Sequence, residues 1–165
     1  MNQETSTAEA PTRTDLTWSD AFLLGYGPMD RSHEEFVSCV QALLEAEDSA
    51  IAQALAAFAD HAERHFSEEN AWMTETNFPP ADCHVREHEA VLKSVYEVQE
   101  ALRQGTPAAL ARALARELVR WFPGHADYLD SALAQWMSKR QYGGKPVVLK
   151  RRLAAPSASG LVSGS

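Results

Sequence analysis

Residues 61–88 read HAERHFSEENAWMTETNFPPADCHVREH, and this stretch decides the fold. Ala62, Phe66 and Met73 continue an apolar stripe at helical spacing. Asn77 with Pro79-Pro80 then ends that helix, and Ala81 or Asp82 opens another. On each side of the break sits a pair of potential metal ligands four residues apart: His65 and Glu69 before it, His84 and His88 after it. Residues four apart on a helix share a face. The stretch therefore predicts two antiparallel helices on a short link, with both donor pairs turned inward.

The same spacing extends outward. Phe36, Val37, Val40, Leu43 and Leu44 predict a first helix, with Asp30 as its cap. Asp48-Ser49 restarts the chain as the second helix, whose stripe begins at Ile51, Leu55 and Phe58. Val85, Val91, Leu92, Val95, Tyr96, Val98 and Leu102 are the expected inward positions of the third. Gly105-Thr106-Pro107 reads as terminal glycine, N-cap and first-turn proline. A fourth helix follows through Leu110, Leu114, Leu118 and Trp121 to about Arg140, and Pro123-Gly124 predicts a kink or restart just before His125. No stretch alternates long enough for a sheet. The fold class expected is all-α, an antiparallel up-down-up-down four-helix bundle over residues 16–141. An N-terminal arm (Trp18, Phe22, Leu23, Leu24) precedes the loop Gly25-Tyr26-Gly27-Pro28. Residues 1–15 are expected to be a disordered N-terminus, and 142–165 a flexible, basic tail.

Composition narrows the class. Hydrophobic residues make up 45% of the 165, which favours a globular domain over disorder. No apolar run approaches the roughly 18 residues of a membrane span, and the polar start lacks the apolar stretch of a signal peptide. A cytoplasmic location is therefore expected. Cys39 and Cys83 make no disulfide framework and read as reduced, partly buried thiols. Lys139–Ser165 holds six of the fifteen basic residues and none of the 23 acidic ones. The body is thus strongly acidic, which argues against a nucleic-acid partner. The tail offers a surface for an acidic protein partner or for a membrane surface, although a solubilising, disordered end is the simpler reading.

Five of the six histidines and two carboxylates fall into the inward-facing pattern: His33; His65 and Glu69; His84 and His88; His125 and Asp130. Unpaired, these groups in a bundle core would cost several kcal/mol. Seven nitrogen and oxygen donors exceed the four of a structural zinc site and suit two ions of iron, zinc, copper or manganese, with the carboxylates as bridges. His125 and Asp130 fit least well, because five residues of straight helix place them roughly 140° apart. Asp127 competes for that role. His61, one turn before His65, reads as a supporting residue beside the ligand face, with substitution for His65 as the competing reading.

Together these elements resemble a bacterial hemerythrin. The resemblance rests on Trp18 and Gly25 through Asp30-Arg31-Ser32-His33; on His65-Phe66-Ser67-Glu68-Glu69 with Trp72-Met73; on His84-Val85-Arg86-Glu87-His88; and on Trp121 to His125 with Asp130. It implies a non-heme di-iron centre (Fe2+/Fe3+, oxo or hydroxo bridged) that binds dioxygen reversibly. By that resemblance His84, His88 and His125 would hold one iron, His33 and His65 the other, and Glu69 and Asp130 would bridge them. Phe66, Val91, Trp121 and Phe122 would line the dioxygen pocket. Ser32 departs from the glutamine usual in the family.

The function expected is oxygen storage, delivery or sensing, without turnover. The competing readings are a di-iron oxidase or peroxidase-like enzyme, an iron-handling or repair protein, and a signalling module acting through the tail. Ferritin-like enzymes pair Glu-x-x-His, and no histidine here has a glutamate three residues before it.

Overall fold

Asn77 has φ of 52°, and its N–H donates to Thr74 O while the Phe78 N–H donates to Met73 O at 2.9 Å. These two bonds are a Schellman ending, which satisfies the last carbonyls of the second helix and turns the chain before Pro79-Pro80. Gly105, with φ of 91°, closes the third helix the same way, through its bond to Leu102 O and that of Thr106 to Ala101 O. Asn77 and Gly105 thus end their helices as the sequence predicts.

A computed structural model describes residues 16–149. Its long helices are α1 (Gly27–Glu45), α2 (Ile51–Glu75), α3 (Ala81–Arg103), α4 (Ala109–His125) and α5 (Ser131–Tyr142). A π-turn, Ala126–Asp130, joins α4 to α5 in right-handed helical backbone throughout, so the two form the fourth rod of the bundle. Helix α1 packs on α2, α2 on α3, α3 on α4, and α4 back on α1. Short links make neighbours antiparallel, and the closed ring is a four-helix bundle.

The apolar stripes land where their spacing put them. Phe36, Val40, Leu43, Leu55, Phe58, Ala62 and Val95 are wholly buried. From the N-terminal arm Phe22 reaches in, with its ring 5.4 Å from that of Phe122. Two inward expectations fail. Tyr96 is 44% exposed and its hydroxyl donates to Glu63 on α2; Leu110 is 37% exposed, in the first turn of α4. Both lie at the margin of their stripes, where a few tens of degrees of helix rotation decide exposure.

Four local expectations are also corrected. Asp30 does not cap α1 at its start; it lies in the first turn and accepts from Leu24 and Gly25 N–H at 2.7 and 3.0 Å. Its carboxylate thereby ties the arm to the helix. Thr106 is not the cap of α4, which begins three residues later. Pro123 neither breaks nor restarts the helix, because α4 runs through it to His125. Burial of Leu118, Val119 and Phe122 holds the rod through the lost hydrogen bond. Cys83 is exposed rather than partly buried, with Arg86 donating to its sulfur at 3.2 Å.

Beyond Tyr142 the described chain runs without regular structure past Gly25, where a Cβ would lie 2.6 Å from that of Pro146. The loop glycine (φ 82°) is thus required both by its backbone and by the passing segment. The expected disordered start at 1–15 and the greater part of the basic tail, 150–165, lie outside the described residues. Among those described, no helix is long and apolar enough to cross a membrane.

Candidate metal centre

Every rod of the bundle passes from one apolar cluster to another, and the crossing point is polar. Met29, Met73, Phe78, Leu133 and Ala134 form one cluster; Phe36, Phe58, Phe66, Val95, Leu118 and Phe122 belong to the other. Between them α1 contributes His33, α2 contributes His65 and Glu69, α3 contributes His84 and His88, and the fourth rod contributes His125 and Asp130. All seven are at most 5% exposed. The structure thus brings every one of the seven sequence-derived candidates into one buried layer.

The two carboxylates divide that layer. Glu69 turns Oε1 toward His65 Nε2 at 3.0 Å and His33 Nε2 at 3.7 Å, and turns Oε2 toward His84 and His88 Nε2, both at 3.3 Å. Asp130 does the same: Oδ2 lies 3.1 Å from His33 Nε2, whereas Oδ1 lies 2.9 Å from His84 Nε2 and 3.2 Å from His125 Nε2. Two donor sets follow, one of three imidazoles and one of two, and each carboxylate gives an oxygen to both. Glu69 with His84, His88, His125 and Asp130 can hold one ion; His33, His65 and Glu69 can hold another.

The orientation of the donors fits cations. His125 donates from Nδ1 to Glu87 Oε2 at 2.7 Å, and His88 from Nδ1 to Asn70 Oδ1 at 3.0 Å. In a neutral ring that leaves a lone pair on each Nε2, and these two nitrogens face each other at 3.2 Å. Two facing lone pairs repel unless a positive group lies between them. His84 Nε2, Glu69 Oε2 and both Asp130 oxygens are buried and make no aligned hydrogen bond, although their distances are short. The ligand atoms of each set lie within 4.8 Å of one another, close enough to share one cation. Native interiors rarely leave so many polar atoms unmatched, and imidazole plus carboxylate is the donor set of borderline divalent ions.

Electrostatics without metal show how tightly the layer is balanced. Burial would lower the pKa of His33, yet the Asp130 and Glu69 carboxylates outweigh it and hold it at about 10. The same competition leaves His84 at about 9. His88 ends lower than usual, because burial exceeds the pull of Glu69. Burial would raise Glu69, but His65, His33 and His84 keep it well below the ordinary range. Asp130 is also held far down: burial and Glu69 push it up, and His125, His33 and His84 prevail. Protons on His33 and His84 thus stand in for part of the positive charge that the layer calls for.

Comparison with known proteins agrees with this geometry. The hemerythrin HHE cation binding domain matches residues 24–137. The chain belongs to the hemerythrin family. It is 39% identical over 125 residues to a bacteriohemerythrin of Ralstonia nicotianae (strain ATCC BAA-1114 / GMI1000), covering 76% of this chain and 90% of that protein. It is 26% identical over 141 residues to a bacteriohemerythrin of Stenotrophomonas maltophilia (strain R551-3), covering 78% and 91%.

In this hemerythrin domain three of the four pocket candidates place their rings against the donor layer. Phe66 stacks on His88 with ring centroids 4.0 Å apart, and Trp121 stacks on His125 at 4.2 Å. Phe122 meets His33 edge-on at 5.3 Å. Val91 is 9% exposed and shares a groove with Trp121, half-buried there. Sequence reasoning missed Phe36 as part of this wall: it stacks on Phe122 at 4.8 Å and meets His65 at 6.0 Å. It also missed Glu87, which receives hydrogen bonds from both His125 and Trp121, and Asn70. Their signal was a polar residue beside each ligand motif, one before His88 and one after Glu69. Asp127 is not among the groups placed to hold a metal; Asp130 is. His61 is buried beside His65 but outside both donor sets, so His65 keeps the place.

Proposed function

We propose that this chain binds dioxygen reversibly at two iron ions, for oxygen storage, delivery or sensing. His84, His88 and His125 would hold one ion and His33 and His65 the other, and Glu69 and Asp130 would offer an oxygen to each. Iron held by these residues would supply the electrons that reversible dioxygen binding requires. The observation that carries this reading is the division of each carboxylate, one oxygen turned to the side of His84, His88 and His125 and the other to the side of His33 and His65. The smaller set has fewer protein donors, so dioxygen would be taken on the His33 and His65 side.

The residues around that side have their own tasks. Phe36 and Phe122 wall it with aromatic carbon, and Phe66 and Trp121 cover the imidazoles of α3 and α4. Such walls keep water and protons from the reduced ions, which slows irreversible oxidation. Glu87 and Asn70 fix the tautomers of His125 and His88 and hold both rings in orientation. A carrier fits better than an oxidase, because five neutral imidazoles against two carboxylates favour the lower oxidation state.

The test is the visible spectrum of the reduced, iron-loaded protein before air, after air, and after oxygen is removed again. A charge-transfer band that comes with oxygen and leaves with it supports the reading. A band that decays at once to the oxidised spectrum, with steady oxygen consumption under reductant, overturns it in favour of an enzyme.

A further inference from the structure

His61, His65 and Glu69 follow one another at four-residue steps on α2, so one face of that helix carries a donor at every turn. Glu69 lies within the donor layer and His65 at its edge, with Nε2 toward Glu69 and a buried, unpartnered Nδ1. His61 lies one turn further out, its ring 5.4 Å from that of His65. This is the histidine that the centre does not use.

The outer end of this ladder opens to solvent. A cleft of about 620 Å3 between α1 and α2 has Ser32, Glu35, His61, His65 and Glu68 in its wall. A neighbouring cleft of about 370 Å3 shares Glu35 and His61 with it. The His61 side chain is only 5% exposed, its Nδ1 lies 3.4 Å from Glu35 Oε2, and its Nε2 has no hydrogen-bond partner. Glu35 itself is 63% exposed. A buried imidazole beside an exposed carboxylate offers the nitrogen and oxygen donors that a borderline divalent ion accepts.

A cation bound for the centre has to lose water on the way, because the seven side chains there are all but sealed from solvent. Losing that water without replacement is costly. Donors at successive helical turns replace it in steps. We propose that His61 and Glu35 form an acquisition site that takes a divalent cation from solvent and passes it by way of His65 to Glu69, an inference that rests on the metal-centre reading above. Arg64 works against this site. Its Nη2 lies 3.8 Å from the same Glu35 oxygen, and both side chains are about two-thirds exposed, so the pair is weak and readily displaced.

The experiment is uptake of Co2+ by the metal-free, full-length protein, followed by its visible ligand-field bands under stopped flow, with the final metal content measured separately. Glu35→Gln and His61→Ala are expected to slow uptake about tenfold, the effect of removing local charge or donors from an access path. Final content stays at the wild-type value. Arg64→Gln is expected to speed uptake, because it frees Glu35; a role in folding alone would not give opposite signs. Glu35→Gln, on the surface, keeps the test valid if His61→Ala folds poorly. Wild-type rates in both Glu35→Gln and Arg64→Gln, with two equivalents bound, overturn the acquisition site and leave the two-metal centre standing. A wild-type protein that binds fewer than two equivalents overturns both.

Discussion

His125 Nε2 and Asp130 Oδ1 lie 3.2 Å apart although the two residues are five positions apart on one helical rod. The π-turn Ala126–Asp130 accounts for this. Ser131 N–H bonds to Ala126 O, five residues back, and the extra residue in that turn brings both side chains to the same face. In a straight α-helix they would diverge by roughly 140°.

That relationship makes an unusual prediction. A π-turn is an α-helix with one residue too many. Deleting Tyr128, which is 81% exposed, should return the rod to α-geometry with His125 and the aspartate four apart and still on one face. Metal content should stay at the wild-type value. Inserting an alanine after Tyr128 should swing the aspartate away and lower metal content. Equal loss in both variants would show that the turn does more than set phase.

Glu87 is held to account by a single substitution. Glu87→Gln weakens the acceptor for His125 Nδ1 at 2.7 Å and for Trp121. Metal affinity should fall about 10–100-fold, as for other partners of ligating histidines. Competition against a chelator measures it. An unchanged affinity would mean that the ring is fixed by the Trp121 stack alone.

His84→Ala removes an imidazole that, like His33, faces both carboxylates, at 2.9 Å from Asp130 and 3.3 Å from Glu69. The expected result is loss of metal from the three-histidine set and a bleached oxygen-dependent band. Full metal content with normal oxygen binding would refute the ligand assignment.

Phe122 is 1% exposed and touches Phe36, His33 and Phe22. Phe122→Ala should cost about 3–5 kcal/mol of stability, the range for truncating a buried aromatic. It should also admit water and hasten oxidation of the reduced centre. Denaturant unfolding reads the first effect and the lifetime of the oxygen-dependent band the second.

The metal-free protein should show a defined pH response. His33 and His84 have folded pKa values raised to about 10 and about 9, so their contribution to stability is complete below about 6.5 and is lost as pH rises through 9 to 10. Glu69 and Asp130 are depressed, and His61 falls to about 4, chiefly through burial. Their contributions are present above the unfolded values and are lost as pH falls. Stability should therefore peak near neutrality and fall on both sides, which thermal melts across pH test directly. At pH 7 metal binding must also expel the protons on His33 and His84. Calorimetry in buffers of different ionisation enthalpy should report close to two protons released.

The sequence by itself determined the four helical rods, the helix ends at Asn77 and Gly105, and the order of the donors along the chain. Apolar spacing fixed the inner faces of α1 to α4, and Asn77 and Gly105 ended helices by backbone conformations that few other residues adopt. The i, i+4 pairs on α2 and α3 needed nothing beyond helical phase. Tertiary structure decided what phase alone cannot reach. Pro123-Gly124 drew attention as a break, yet packing carried α4 through it and the irregularity fell in the next turn, where no residue type announces a π-turn. Glu87, Asn70 and Phe36 meet the donor layer only because α3 faces α4, α2 faces α3 and α1 faces α4 across the bundle. Which oxygen of Glu69 and of Asp130 serves which imidazoles is likewise a fact of four helices meeting: a sequence gives the order of the donors, and only packing gives the distances between them.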